Sequence, residues 1–270
     1  MTQVFAVGNE KGGVGKTTVA VNLAAVLGEE GYRVLLIDSD PTFRATQILG
    51  VNPADAPGSL ADVYRKELDP QQAVARKVVP GVDLIPSSPE LGKVANGLGE
   101  GNYREMRLLG ALGEYFDECP YDVVLIDTPP AVGWLLTNVL QVVDEVVCVV
   151  DMMDDGSVQG VMNTLRHVRE MVAVPNIRVP PLRVLRNHVD PRAVAYRAIM
   201  GDFDLPGVCQ RIGVALMATE IPHTAEFRNA AAGHRTINAV PCKPSHDRLR
   251  SAVAAMRLAA LELIGTEVAT

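Results

Sequence analysis

Short apolar runs alternate along the chain with longer stretches in which apolar residues recur every three to four positions. That alternation predicts βαβ units and a mostly parallel sheet. Residues 4–7, 34–37, 82–85, 123–126, 146–150, 182–185 and 214–218 read as strands. Helical spacing marks residues 16–29, 59–65, 103–116, 135–142, 157–172, 192–200 and 225–232, with a closing amphipathic stretch over 245–263. The Gly- and Pro-rich segments 52–58 and 86–101 read as surface excursions. No internal repeat, low-complexity tract or inter-domain linker interrupts the pattern, so the expectation is a single domain over residues 1–270. Its fold class is α/β, one doubly wound, mostly parallel sheet with helices on both faces.

Composition sharpens this picture. Aromatic residues make up only 4% of the 270 positions and hydrophobic residues 48%, so the core should consist of Val, Leu, Ala and Ile, which suits a parallel sheet covered on both sides. Cys119, Cys148, Cys209 and Cys242 have no metal-ligand spacing, and two of them fall in apolar runs that read as strands or strand ends. Reduced, structural thiols are expected. The first residues enter an apolar strand without a basic leader, and no uninterrupted apolar window reaches membrane-spanning length, so a cytoplasmic protein is expected. A formal net charge of −7 excludes a surface that is basic all over, which leaves nucleic-acid binding to a local patch.

The chemistry is concentrated at the first strand-to-helix junction, Phe5-Ala-Val-Gly-Asn-Glu-Lys-Gly-Gly-Val-Gly-Lys-Thr-Thr18. A Gly-rich loop between a strand and a helix is the setting of a phosphate-binding loop, or P-loop. Gly12, Gly13 and Gly15 let the backbone through Val14 turn its N–H groups inward, and the helix beginning near Lys16 adds its positive dipole end. Lys16 supplies a full charge to the β- and γ-phosphates. The Thr17 hydroxyl is placed to ligand Mg²⁺, and Thr18 to reach the α-phosphate.

The first glycine usual in such a loop is Glu10 here, and an additional lysine, Lys11, follows it. In this the segment resembles the deviant P-loop of the ParA/MinD family, whose extra lysine reaches across a nucleotide-sandwich homodimer to the partner's phosphates. The resemblance implies that Lys11 stabilises charge in trans, much as an arginine finger does. Val34-Leu-Leu-Ile-Asp-Ser-Asp-Pro41 is similar to the family's second motif, and implies that Asp40 orients the attacking water while Asp38 supports the metal's outer shell. Val123-Val-Leu-Ile-Asp-Thr-Pro-Pro130 has the form of a buried strand ending in a Walker B carboxylate, so Asp127 is expected to hold Mg²⁺ through water. The following Pro129-Pro130-Ala-Val-Gly133 resembles the family's switch loop. An adenine-contacting residue is implied near Asn187, which reads equally well as a turn former before His188 and Asp190-Pro191. The stretch from Ile221-Pro222-His223 to Ala230 resembles the segment that lines the base, which brings in Pro222.

The resemblance runs from Val4 to about Leu263 and is closest to ParA-type partition ATPases. It implies ATP and Mg²⁺ as cofactors, slow hydrolysis by the chain alone, a homodimer on ATP, nonspecific DNA binding, a ParB-type centromere-binding partner that stimulates hydrolysis, and a nucleoid-associated location. After Asp40-Pro41 the family's common Gln-Gly-Asn is replaced by Thr42-Phe43-Arg44, and the arginine that relatives use on DNA is Glu226. Arg228, Arg235, Lys243, Arg248 and Arg250, with Arg257, are the candidates for a basic stripe; a solvated helix face is the usual reading of any one of them.

The main alternative is a MinD-like or other ATP-gated positioner of membrane or protein cargo. A MinD-like protein needs a basic amphipathic C-terminal helix, whereas this chain ends Leu261-Glu-Leu-Ile-Gly-Thr-Glu-Val-Ala-Thr270, so no membrane partner is expected. A relative of the nitrogenase iron protein would need cysteines near the switch, and residues 127–138 contain none.

Overall fold

The computed structural model describes residues 2–97, 104–130, 133–154, 156–171, 180–242 and 246–265. Its strands are β1 (Gln3–Gly8), β2 (Val34–Asp38), β3 (Ala75–Val79), β4 (Val82–Ile85), β5 (Val123–Asp127), β6 (Glu145–Asp151), β7 (Leu182–Val189) and β8 (Ala215–Pro222). Its α-helices are α1 (Lys16–Glu29), α2 (Arg44–Ile48), α3 (Leu60–Arg65), α4 (Glu90–Gly97), α5 (Leu109–Glu118), α6 (Trp134–Leu140), α7 (Gly156–Met171), α8 (Val194–Arg197), α9 (Leu205–Ile212), α10 (Glu226–Ala232) and α11 (Asp247–Leu263).

One eight-stranded sheet runs in the order β3-β4-β2-β5-β1-β6-β7-β8, parallel throughout except for the antiparallel β3–β4 edge. Successive strand residues point to opposite faces, and here both faces are apolar. Val4 and Ala6, Leu35 and Ile37, and Val124 and Ile126 join one core with residues of α3, α5 and α6. The alternate residues Phe5 and Val7, Val34 and Leu36, and Val123 and Leu125 join the other core with α1, α2, α10 and α11. This two-sided burial is why the central strands read as unbroken apolar runs.

Several boundaries differ from expectation. β3 has no counterpart among the expected strands: it is a charged edge strand, Ala-Arg-Lys-Val-Val, with an irregular register and no apolar alternation. Within 86–101, α4 forms a helix whose Leu91 is fully buried, so that segment is more than a surface excursion. α2 and α9 are additional short helices. The stretch expected to be helical at 192–200 is one turn of α-helix followed by a π-helical turn, Ala198–Asp202. β7 and β8 run four residues past the expected ends, because polar Arg186, Asn187 and Glu220 still pair along the sheet. All four cysteines are free thiols; Cys148 lies on β6, whereas Cys209 is buried in α9 and Cys242 is exposed. Among the described residues no helix is long and apolar enough to cross a membrane.

Candidate nucleotide site

Three neighbouring strands bring the P-loop and two of the acidic motifs to one place. β5 lies between β2 and β1, and Asp127 is in register with Asp38 on one side and Val7 on the other. The loop leaving β1 turns through two left-handed glycines, Gly13 at φ 82° and Gly15 at φ 95°. A Cβ on Gly15 would collide with the Asn187 amide, so this position needs glycine for both conformation and space. Gly15 leads directly into α1, whose first turn carries no acidic side chain to compete for the helix's positive end.

Lys16 is buried, with 6% of its surface exposed, and burial pulls its pKa down while the charges of Asp127 and Asp40 oppose that shift. Its Nζ donates to the Lys11 carbonyl at 3.0 Å, so the ammonium folds over the loop that precedes it.

Asp38 and Asp127 are both fully buried. Asp38 Oδ2 accepts from the backbone N–H of Thr46 at 2.8 Å and from its hydroxyl at 2.7 Å, and Oδ1 accepts from Asp40 N at 3.2 Å. Burial nonetheless pushes its pKa up to about 6 against those hydrogen bonds. Asp40 Oδ1 accepts from the backbone and hydroxyl of Thr42, each at 2.8 Å. No hydrogen bond of ordinary geometry from the described residues reaches either oxygen of Asp127, although the Thr17 side chain lies near enough to favour its charged form. Burial first, then the charges of Asp38 and Asp40, raise its pKa well above the usual carboxylate range, with Thr17 and Lys16 acting in the opposite direction.

A buried carboxylate without partners is costly unless a cation compensates it. Asp127, set beside a second carboxylate and the Thr17 helix start, therefore suits a hard divalent ion. No group of three or more His, Cys, Asp or Glu among the described residues could hold a metal without help. Mg²⁺ typically binds through one or two protein oxygens together with waters and phosphate.

Lys11 points elsewhere. Its Nζ forms an ion pair with Asp154, in the turn between β6 and α7, and its backbone N–H is fixed by Asn9 Oδ1 at 2.9 Å. Buried Asn9 in turn donates to Val149 O at 2.7 Å and Ser157 O at 3.1 Å, tying the loop to the same turn. Asn187 Nδ2 donates to Val14 O at 2.8 Å, which braces the P-loop backbone. Beside it, His188 Nδ1 lies 3.0 Å from Asp151 Oδ2 and packs edge-on against His223, with ring centroids 5.5 Å apart. Pro222 ends β8 opposite Val189, immediately before that His223. Asp151, Asp154 and His188 thus lie at the site without having been expected in it, while Thr46 and His223 fall in the two segments that carry the family resemblance. The two histidines directly follow Asn187 and Pro222, whereas Asp151 and Asp154 carry no motif.

The basic candidates divide. Arg228 is exposed in the first turn of α10 and Arg235 just beyond its end, and Arg248 and Arg250 are exposed on the first turn of α11. Arg250 pairs with Asp247, and Arg257 pairs with Glu30 of α1. Lys243 lies outside the described residues, as do positions 131–132 of the loop expected to act as a switch.

The family model described as "AAA domain" matches residues 2–179. The chromosome partitioning protein ParA of Caulobacter vibrioides is 40% identical over 144 residues, 53% of this chain and 54% of that protein, so the match spans about half the relative's length. The sporulation initiation inhibitor protein Soj of Bacillus subtilis is 37% identical over 169 residues, 63% of this chain and 66% of that one. Among solved structures, a cobyrinic acid a,c-diamide synthase from Mycobacterium smegmatis with bound ADP and magnesium aligns at TM-score 0.77 and 29% identity. That alignment covers 98% of this chain and 94% of the other.

Proposed function

The chain belongs to the AAA-domain family of ParA/MinD-type P-loop ATPases, and from that premise we propose that it hydrolyses ATP to ADP and phosphate to drive DNA partition. The observation that carries this reading is the convergence of Lys16 and the unpartnered Asp127 with Asp38 and Asp40 at the mouth of one glycine-rich loop. The N–H groups of residues 12–18 and the Lys16 ammonium bind the phosphates. Thr17 and Asp127, with Asp38 behind them, would hold Mg²⁺, which when bound offsets the negative charge of the phosphates. Asp40 orients the attacking water. Asn187 fixes the loop, and Pro222 borders the base.

Lys11 cannot serve a partner's phosphates while it pairs with Asp154, so formation of an ATP-bound homodimer requires that pair to open. This contact supports slow hydrolysis by the isolated chain. The dimer binds nonspecific duplex DNA in the cytoplasm, over the nucleoid, and a ParB-type protein triggers hydrolysis and release. Two modest phosphate-binding patches fixed on one body bind far more tightly than either alone.

Asp40→Ala protein should bind arbitrary duplex DNA with ATP and Mg²⁺, lose that binding in ADP, and weaken steeply as salt rises. Equal affinity with both nucleotides would overturn the partition reading. The synthase resemblance favours a second reading, in which the chain uses ATP in converting a carboxylic acid to an amide. Turnover with ATP and water alone, without an acid acceptor, separates the two.

A further inference from the structure

Between α2 and the end of α10 lies an open groove of about 550 Å³, lined among others by Phe43, Arg44, Gln47, Asn52, Ala231 and His234. We propose that this groove receives the phosphodiester backbone of duplex DNA. This rests on the partition reading and names a part of its DNA surface outside the arginine candidates already considered.

Four observations converge on the groove. First, its lining includes Arg44 and no carboxylate, on a chain whose net charge is −7. Arg44 is exposed and forms no ion pair among the described residues. Asp55, just past the lining residues Asn52 and Pro53, is held by Asn52 Nδ2 at 2.7 Å. Second, Arg228 and Arg235 flank it. Arg228 lies one helical turn before Ala231 on the same face of α10, and Arg235 follows His234 directly. Three exposed guanidinium groups on and beside one concave strip whose lining holds no carboxylate suit a polyanionic phosphate backbone.

Third, two non-glycine residues of the lining are held in left-handed conformation, Phe43 at φ 46° and His234 at φ 52°. Strained backbone of this kind concentrates at binding sites. The chain accepts that strain at Phe43 and thereby sets an aromatic ring next to Arg44 in the lining. A phenyl ring next to a guanidinium can pack on a deoxyribose while the charge meets the phosphate.

Fourth, the groove is wired to the nucleotide site. Asp40 holds Thr42 just before Phe43, and Asp38 holds Thr46 within α2. His234 Nδ1 meets the Gln47 carbonyl at 2.6 Å, joining α2 to the arginine-bearing segment. Asn22 adds a second strap from α1, its Oδ1 accepting from Ile237 N at 2.6 Å. A change at Asp38 and Asp40 on nucleotide exchange is therefore transmitted to both walls of the groove.

The test is fluorescence anisotropy of a labelled arbitrary-sequence duplex with wild-type, Arg44→Gln, Arg44→Glu and Phe43→Gly proteins, in ATP and Mg²⁺ across a salt series. Melting temperature and basal hydrolysis are recorded alongside. Arg44→Glu should weaken binding about tenfold or more, and Arg44→Gln less. Each should lower the salt slope by about 1 for every phosphate no longer neutralised, with basal hydrolysis unchanged. Phe43→Gly should melt at a higher temperature yet bind DNA several-fold more weakly, which a purely structural role for Phe43 would not produce. Wild-type affinity and salt slope in the Arg44 variants, with weakened binding in Arg228→Ala and Arg235→Ala, would overturn the groove and leave the partition reading intact. Normal DNA affinity together with abolished stimulation by a centromere-binding protein would assign the groove to a protein and overturn the proposal. Absence of DNA binding by the wild type in ATP would overturn both.

Discussion

Asp127 concentrates the conflict between folding and function in a single side chain. In a chain folded for stability alone, a carboxylate with neither oxygen satisfied at the centre of a sheet would be replaced by an apolar residue. Asp127→Asn should therefore raise the nucleotide-free melting temperature, by the equivalent of roughly 1–3 kcal/mol at neutral pH, while losing most of the extra stability that ATP with Mg²⁺ confers on the wild type. Differential scanning calorimetry with and without ligand checks both. The pH dependence follows the same logic. Burial holds the protons on Asp38 and Asp127 in the folded chain where an unfolded carboxyl, with an ordinary value of 3.8, has already released them. The folded state thus binds more protons, and the contribution of these groups to stability declines as pH rises above 3.8, through about 6 for Asp38, with Asp127 acting in the same direction. A melting temperature for the nucleotide-free protein whose decline over that range is as steep in Asp127→Asn as in wild type would contradict the assignment. At this scale the lysines, glycines and aspartates were legible because each sits at a fixed offset from a strand end. Asp154 and Thr46 were not, because their partners Lys11 and Asp38 reach them through tertiary contacts that no local spacing encodes.

Among the elements, the central ones announced themselves and the margins did not. α1 was readable to the residue, since Gly15 opens it and ten of its residues are buried. α2 is only five residues long, too short to show a helical period, and its N-cap Phe43 is no usual helix starter. α9 hides behind Pro206 and Gly207, which read as breakers, although Asp204 caps it by accepting from Gly207 N at 3.1 Å. The β8 edge shows how a margin is protected. Glu262 of α11 accepts from the backbone N–H of Ala218 at 2.6 Å and of Thr219 at 3.0 Å, occupying edge groups that could otherwise pair with another chain. Arg183 Nη1 fixes the same residue by donating to its carbonyl at 3.0 Å. Glu262→Ala should cost about 1–2 kcal/mol in denaturant unfolding and increase aggregation on heating; an unchanged midpoint would remove Glu262 from this role.

For the whole molecule, the alternation of apolar runs and helical stretches was enough to foresee a doubly wound sheet, because both faces of the central strands are buried. The order of strands was not legible, since β5 enters between β1 and β2 only in three dimensions. That insertion sets Asp127 beside Asp38 and makes the site. What the isolated chain leaves unfinished is Lys11, held by Asp154 and turned away from the Lys16 end of its own loop. On the proposed reading, a second copy of the chain would complete the site. The measurement that bears on this most directly is solution mass, by light scattering, of Asp40→Ala and of Asp40→Ala with Lys11→Ala, each in saturating ATP and Mg²⁺. Twice the chain's mass is predicted for the first and a nucleotide-bound monomer for the second. A monomer in the first case, or a dimer indifferent to Lys11 in the second, would contradict the role given to Lys11.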